Sequence, residues 1–304
     1  MFGQRAISTI ENGAVIHGRS LWQDARERFF RNKAAVVGLI VLTFMILFAI
    51  FGGLVAQFEP DFVDFSLMGA NAYQGSPAIE TGHYFGTDSD GRDLYARTVQ
   101  GTGISLLVGV VGALVAVIVG TLYGATAGYV GGRVDSLMMR IVDILLSIPF
   151  MFVLILMLVI FGRSIFMLFL GIGLISWLNM ARIARGQTLA LKHKEFVESA
   201  IATGVGPLTI ILRHIIPNLL GVVIVYATLL VPEMIIFESF ISYLGLGVQE
   251  PMTSLGALIN QGAGQMTNGT LWMLLFPLGF FLVTLFAFFF VGDGLRDALD
   301  PKDR

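Results

Sequence analysis

Hydrophobic positions along this chain fall in long unbroken blocks, without the alternation of half-buried strands or the one-sided stripe of soluble helices. Six blocks, at 34–55, 104–127, 138–161, 165–181, 218–240 and 271–291, approach or exceed a membrane-crossing length. A helix rising about 1.5 Å per residue needs roughly 20 apolar residues to cross a hydrocarbon core about 30 Å thick. The block at 165–181 is the shortest. Outer-membrane barrel strands would instead alternate over about ten residues. The pattern predicts an all-α membrane protein with six transmembrane helices.

Composition agrees. Apolar residues make up 56% of the 304 and charged residues 13%, with a mean hydropathy of +0.81. A soluble fold of this length could not hide that balance from water. The charge that remains sets an orientation, because Lys and Arg favour cytoplasmic loops. With the first residue inside, Arg5, Arg19, Arg26, Arg28, Arg31, Lys33, Arg133, Arg140, Arg182, Arg185, Lys192, Lys194, Arg213, Arg296, Lys302 and Arg304 are cytoplasmic, and Arg92, Arg97 and Arg163 are external. That puts 16 of 19 basic residues inside and both termini in the cytoplasm. The resulting organisation is a cytoplasmic tail at 1–33, a first transmembrane helix at 34–55 and an external segment at 56–103. A five-helix core at 104–291, including a cytoplasmic loop at 182–217, and a cytoplasmic tail at 292–304 complete it. The first block is too long for a signal-peptide core and is expected to stay as an anchor.

Several local patterns refine this picture. Leu21, Trp22, Ala25, Phe29 and Phe30 recur at helical spacing among basic residues, which fits an amphipathic helix lying at the inner interface, while residues 1–18 are expected to be unstructured. The external segment carries seven carboxylates, Glu59, Asp61, Asp64, Glu80, Asp88, Asp90 and Asp93. Its GTDSDGRD stretch lacks the ligand ladder and closing glutamate of a calcium loop, so no metal site is expected. Asp88, Asp90 and Asp93 are read as turn and helix caps, with Arg92 as an ion-pair partner. Gly112, Ala116, Gly120, Gly124 and Gly128 place a small residue every fourth position, a seam for close helix packing. Asp143 is expected to pair with Arg140 one turn away.

Two carboxylates, Glu233 and Glu238, fall within the fifth block, Glu233 directly after Pro232. A charge at that depth is costly unless it meets water or a partner, so each is a candidate for lining a translocation path. Glu238 lies near the outer end, where it could instead reach the interface. All four histidines lie outside the spans, no cysteine is present, and neither a nucleophile–base pair nor a phosphate-binding G-x-x-x-x-G-K-[ST] loop occurs. No catalytic site, bound cofactor or nucleic-acid partner is expected of this chain. If ATP drives it, another chain hydrolyses the nucleotide.

The cytoplasmic loop is the most informative stretch. Phe196, Val197, Ala200, Ile201, Leu208, Ile211, Leu212 and Ile215 recur at helical intervals, broken by Gly204 and by Pro207, which opens a second short helix. Alanine and glycine suit a close protein contact better than a lipid surface. The residues resemble the permease subunits of bacterial ABC importers, whose loop reads E-A-A, three residues, G, nine residues, I-x-L-P. Here the match is Glu198-Ser199-Ala200, Gly204 and His214-Ile215-Ile216-Pro217, with Ser199, His214 and Ile216 departing from the general pattern. The leader SLWQDARERFFRNKAAVVGL, the segment FGTDSDGRDLYARTVQGTGISL, the stretch LGLGVQEP and the tail GDGLRDALDPKDR extend the likeness over nearly the whole chain, towards the C-type subunits of oligopeptide and dipeptide importers.

The resemblance implies a type I permease fold in a bacterial inner membrane. It implies a B-type sister permease, two ATPase subunits carrying ATP and magnesium on the inside, and a periplasmic peptide-binding protein outside. The loop would be the helix that couples to the ATPases. Phe196, Val197, Glu198, Ala200, Ile201, Gly204 and Pro217 would build it, with Val197, Ala200 and Ile201 supplying contact area, Glu198 polar contacts and Gly204 the turn. An ion- or proton-coupled secondary transporter is the alternative, although no internal repeat speaks for it.

Overall fold

A computed structural model describes residues 21–68 and 75–299 of the chain. The stretch 1–18 and the last five residues of the tail therefore lie outside the described residues. The described residues are helical apart from connections and two isolated bridges, Val63 with Arg92 and Thr87 with Asp93.

Helix α1 (Leu21–Arg31) meets α2 (Lys33–Phe51) at Asn32, whose side chain accepts from the Ala34 and Ala35 N–H groups. An asparagine cap of this kind starts a new helix where the chain changes direction. Ala25 and Phe29 of α1 are buried and Trp22 and Phe30 exposed, so the expected amphipathic helix is present. Its inner face packs on protein: Phe29 and Ala35 crowd Gly294 of the last helix, α11 (Trp272–Leu299).

Helix α3 (Leu94–Val130) begins at Asp93, whose carboxylate accepts from Ala96 N–H at 2.8 Å. The external segment, expected to run to Gly103, thus gives way to helix ten residues earlier, because the cap precedes a run of good helix formers. At 37 residues, α3 is roughly 55 Å long and extends well beyond a bilayer core. Helix α6 (Ile165–Leu191) crosses it along the small-residue stripe. A Cβ on Gly120 would lie 2.6 Å from the Trp177 carbonyl oxygen, one on Gly124 would collide with the Ala181 carbonyl, and one on Gly128 would lie 2.9 Å from that of Arg185. The stripe is a packing seam, as expected, and its occupant is α6.

The block at 138–161 is not one straight span. It divides into α4 (Gly132–Ser147) and α5 (Phe150–Phe161), bent by 78° at Ile148 and Pro149. Proline pushes the residue before it out of the helical region, and Ile148 is extended. Helix α5, about 18 Å long, is too short to cross alone. Counting this bent pair as one, the six expected spans all have helices of sufficient length and apolarity.

The cytoplasmic loop also departs from expectation. Helix α7 (Glu195–Ala202) is separate, but Pro207 does not open a short second helix. Helix α8 (Pro207–Ile210) runs through one π turn (Ile211–Ile215) directly into α9 (Ile216–Tyr243), giving a continuous helix over Pro207–Tyr243. Pro217 has no N–H to give its own turn. The preceding turn widens, and Ile216 N–H donates to the Ile211 carbonyl five residues back. Helix α9 packs on α3 beside α6, with Ile235 against Gly109 and both α6 and α9 meeting at Gly112. Helix α10 (Leu255–Gly264) and α11 close the bundle, and Phe290 of α11 lies against Gly38 of α2.

Candidate functional site

The α7 end of the bundle is where the sequence places its docking element. Val197 is fully buried and Ala200 nearly so, packed in a cluster with Ala125, Met180, Ala184, Ile210, Ile211, Ile215, Leu219 and Val223. Val197 and Ala200 are therefore not contact area for a partner, contrary to the sequence reading. Two turns of α-helix cannot stand alone in water, and these two side chains fasten α7 into that cluster. The opposite face presents Glu195, Phe196, Glu198, Ser199 and Ile201, with Phe196 39% and Ile201 52% exposed. Leu208, at 69% exposed, and Leu212 continue that apolar surface across the turn.

The turn itself ends α7 in a left-handed glycine. Gly204 has φ +79°, and Val205 N–H donates to the Ala200 carbonyl at 3.1 Å, closing the helix terminus. No atom lies within 4 Å of a Cβ built on Gly204, so the requirement for glycine is conformational rather than steric. Pro207 then stands in the first turn of α8, where its missing N–H is not needed.

Helix α6 leads into α7 and is braced on both sides. Arg185 grips Asp135 of α4 through two hydrogen bonds of 2.6 Å, and Lys192 Nζ donates to the Gly128 carbonyl at 3.2 Å. Asp143 pairs with Arg182, 39 positions away, and not with Arg140. Spacing along one helix cannot reveal such a pair. Its only signal was charge at the inner ends of successive spans.

The two intramembrane carboxylates part company. Glu233 is exposed on α9, in a stripe with Tyr226, Ile236, Phe240 and Tyr243 at three- and four-residue steps. Glu238 neither reaches an interface nor faces a path. It is fully buried, and Ser105, Ser242 and Ser239 donate to it at 2.8, 2.7 and 3.2 Å. Ser105 in turn accepts from Leu255 N–H at 3.3 Å, so this carboxylate ties α3, α9 and the start of α10 together. Low polarity around it makes those bonds strong and their loss costly.

At the other end of the bundle, the expected caps form part of a larger polar cluster. Asp88 accepts from the backbone N–H groups of Asp90 and Arg92, and from Arg92 Nε at 2.8 Å. Arg92 also donates to Glu250 at 2.8 Å and pairs with Asp90. His83 Nδ1 lies 2.9 Å from Asp93 Oδ1. Burial opposes the Arg92 charge, yet Asp88 and Glu250 outweigh it and hold the guanidinium above the usual arginine range. Burial likewise pushes the Asp93 carboxyl up, in spite of bonds from Ala96 N–H and His83. Phe85 stacks on Phe276 at 4.1 Å and Trp272 Nε1 donates to the Thr87 carbonyl, fixing the cluster to α11. The sequence named Asp88, Asp90, Arg92 and Asp93 here but gave no sign of Glu250 or of the burial of Arg97.

Comparison with known proteins places this arrangement among relatives. A family model for binding-protein-dependent transport system inner membrane components matches residues 116–304, and one for the N-terminal transmembrane domain of oligopeptide transport permease C matches residues 20–74. The chain is 57% identical to the oligopeptide transport system permease protein OppC of Escherichia coli strain K12, over the full length of both chains. It is also 57% identical to that of Haemophilus influenzae, over 95% of this chain and 91% of the relative. The dipeptide transport system permease protein DppC of Bacillus subtilis is 41% identical over 94% and 87%. Among solved structures, the inward-facing MetNI methionine ABC transporter shares the fold with a TM-score of 0.54 and 18% identity, over 66% of this chain and 95% of that chain.

Proposed function

Because the chain belongs to the family of binding-protein-dependent transport system inner membrane components, we infer that its α7 end is the surface through which ATP hydrolysis on other subunits drives transport. The chain is a permease subunit of an ABC system that carries peptides across the inner membrane. That assignment leaves no role for the ion-coupled carrier considered as an alternative. On our reading, two ATPase subunits carrying ATP and magnesium bind the α7 end, a sister permease completes the path, and a peptide-binding protein docks at the opposite end. The charge bias of the loops puts α7 in the cytoplasm.

One observation carries the coupling role. Helix α7 is fixed by Val197 and Ala200 while Phe196, Glu198, Ile201 and Leu208 face outward, so a push on the outer face moves the seat beneath it. Because Pro207–Tyr243 is one helix, movement at Leu208 is delivered along α9 to the stripe that holds Glu233. A rigid element of this kind transmits displacement and opens the path alternately to each side. An exposed carboxylate at that depth belongs against water or a partner chain, which supports our reading of the Glu233 stripe as part of the path between the two permeases.

The natural chain has no cysteine, so single cysteines at Ile201 and Leu208 give unambiguous crosslinks. Both should capture an ATPase subunit in membranes engaged in uptake, and a cysteine at buried Ala200 should not. Capture from Ala200 alone, or from none of the three, overturns the assignment. Glu233→Gln should leave the protein inserted and lower the rate of peptide uptake by several-fold. Unchanged uptake would remove Glu233 from the path.

A further inference from the structure

A groove of about 530 Å³ opens where the start of α9 passes the ends of α6 and α11. Gln187 of α6, Asn218, Gly221, Tyr226 and Leu229 of α9, and Arg296 of α11 line it. Its size falls within the roughly 300–1,000 Å³ of pockets that hold small molecules. No atom lies within 4 Å of a Cβ built on Gly221, so the wall at that point is bare helix backbone. Gln187, Tyr226 and Arg296 make no side-chain hydrogen bond or ion pair among the described residues. Asn218 donates from its amide nitrogen to the His214 carbonyl, which leaves its side-chain oxygen open. Asp293 and Asp297 are exposed on either side of Arg296 along α11, and neither pairs with it.

The groove continues into the stripe that holds Glu233. Val222, Tyr226, Leu229 and Glu233 follow one another at four- and three-residue steps, which is one face of a helix. Helices α9 and α11 run antiparallel here, because Gly292 lies against Leu229 while Arg296, one turn later, lies over the start of α9. Glu233 is four residues beyond that level on α9, and Arg296 four residues beyond it on α11 in the opposite direction. At about 1.5 Å per residue, the two are roughly 12 Å apart along the groove. An extended chain covers about 3.3–3.6 Å per residue, so three or four residues span that length and two fall short.

We propose that this groove holds an extended peptide of three or four residues, its N-terminal ammonium at Glu233 and its chain-terminal carboxylate at Arg296. The site rests on the proposed function, which puts the Glu233 stripe on the path and makes this the cytoplasmic end where cargo leaves. An exposed carboxylate at one end and an exposed guanidinium at the other fit a zwitterion in one direction only. Between them, a peptide backbone offers Gln187, Asn218 and Tyr226 both donors and acceptors, whereas a lipid acyl chain offers neither.

The test uses the complete transporter, with sister permease and ATPases, in lipid nanodiscs without binding protein or nucleotide. Gly221→Cys puts the only thiol of this chain in the groove without striking a neighbour, and its alkylation by a small maleimide is read from the mass of the chain. Trialanine and tetraalanine should slow that alkylation severalfold, while dialanine, trialanine amide and N-acetyltrialanine should slow it far less. Arg296→Gln should erase the advantage of the free acid over the amide, and Glu233→Gln that of the free amine over the acetylated peptide. Equal protection by all the peptides, protection by none, or a length and end-group preference that survives both substitutions overturns the site. A thiol that never reacts overturns it too, since the sister permease then fills the groove. Absence of ATP-driven peptide uptake by the unaltered transporter with its binding protein would instead overturn the proposed function.

Discussion

At one end of the bundle, Arg92 joins Asp88, Asp90 and Glu250, the last 158 residues away along the chain, and aromatic stacking fixes the same segment to α11. At the α7 end, that helix rests on two apolar side chains and is turned by one glycine. Directional bonds between distant segments hold a surface in one shape. An apolar seat holds a helix firmly yet leaves its other face bare for a partner. The contrast separates an end built to keep its form from an end that, on the function we propose, receives force.

Removing one partner from the outer cluster tests that contrast most severely. Arg92→Ala leaves buried Asp88 with only its longer pair to Arg97, and breaking a buried pair costs up to about 3–5 kcal/mol. Thermal unfolding in detergent should show a correspondingly large drop, the greatest of this series. At the inner end, Val197→Ala removes two buried carbons and should cost about 2 kcal/mol. The loss should be local: hydrogen exchange should accelerate in α7 while the α3–α6 seam stays protected. Equal acceleration in both would mean that α7 is not a separately seated element.

Gly204→Val forces a β-branched residue into the left-handed region at roughly 1–2 kcal/mol. Because no neighbour is struck, the unfolding temperature should change little, whereas peptide taken up per ATP hydrolysed should fall several-fold. Normal coupling in this variant would leave the turn without a mechanical role. Phe196→Ala should have the smallest effect on the isolated chain, within about 0.5 kcal/mol, since the side chain is substantially exposed. Its effect should appear instead as weaker retention of the ATPase subunits. A fall in stability without loss of retention would reverse the assignment of its face.

Much of this was legible in advance. The six spans, the first amphipathic helix, the small-residue seam and the glycine turn each follow from local pattern, because bilayer thickness, helix periodicity and glycine's freedom act on short stretches. The miscast residues share a different property. Val197 and Ala200 carry the apolar character of a contact surface, but burial against α3, α6 and α9 decides which way they point. Asp143 had an eligible partner one turn away and took one from another helix. Glu238 and Glu233, five positions apart, have the same chemistry and opposite fates.

Sequence by itself determined that this chain is a helical membrane protein, how many apolar blocks can cross a bilayer, and which loop resembles a docking element. Those properties depend on solvent, chain length and neighbouring residues, all of which are written locally. Only the tertiary structure decided which face of α7 is the seat and which is free, that the loop runs unbroken into α9, and that Arg97 is buried beside Asp88 and Glu250. Each of those depends on what distant segments place alongside, and the energy of a buried charge or an apolar face is set by that company.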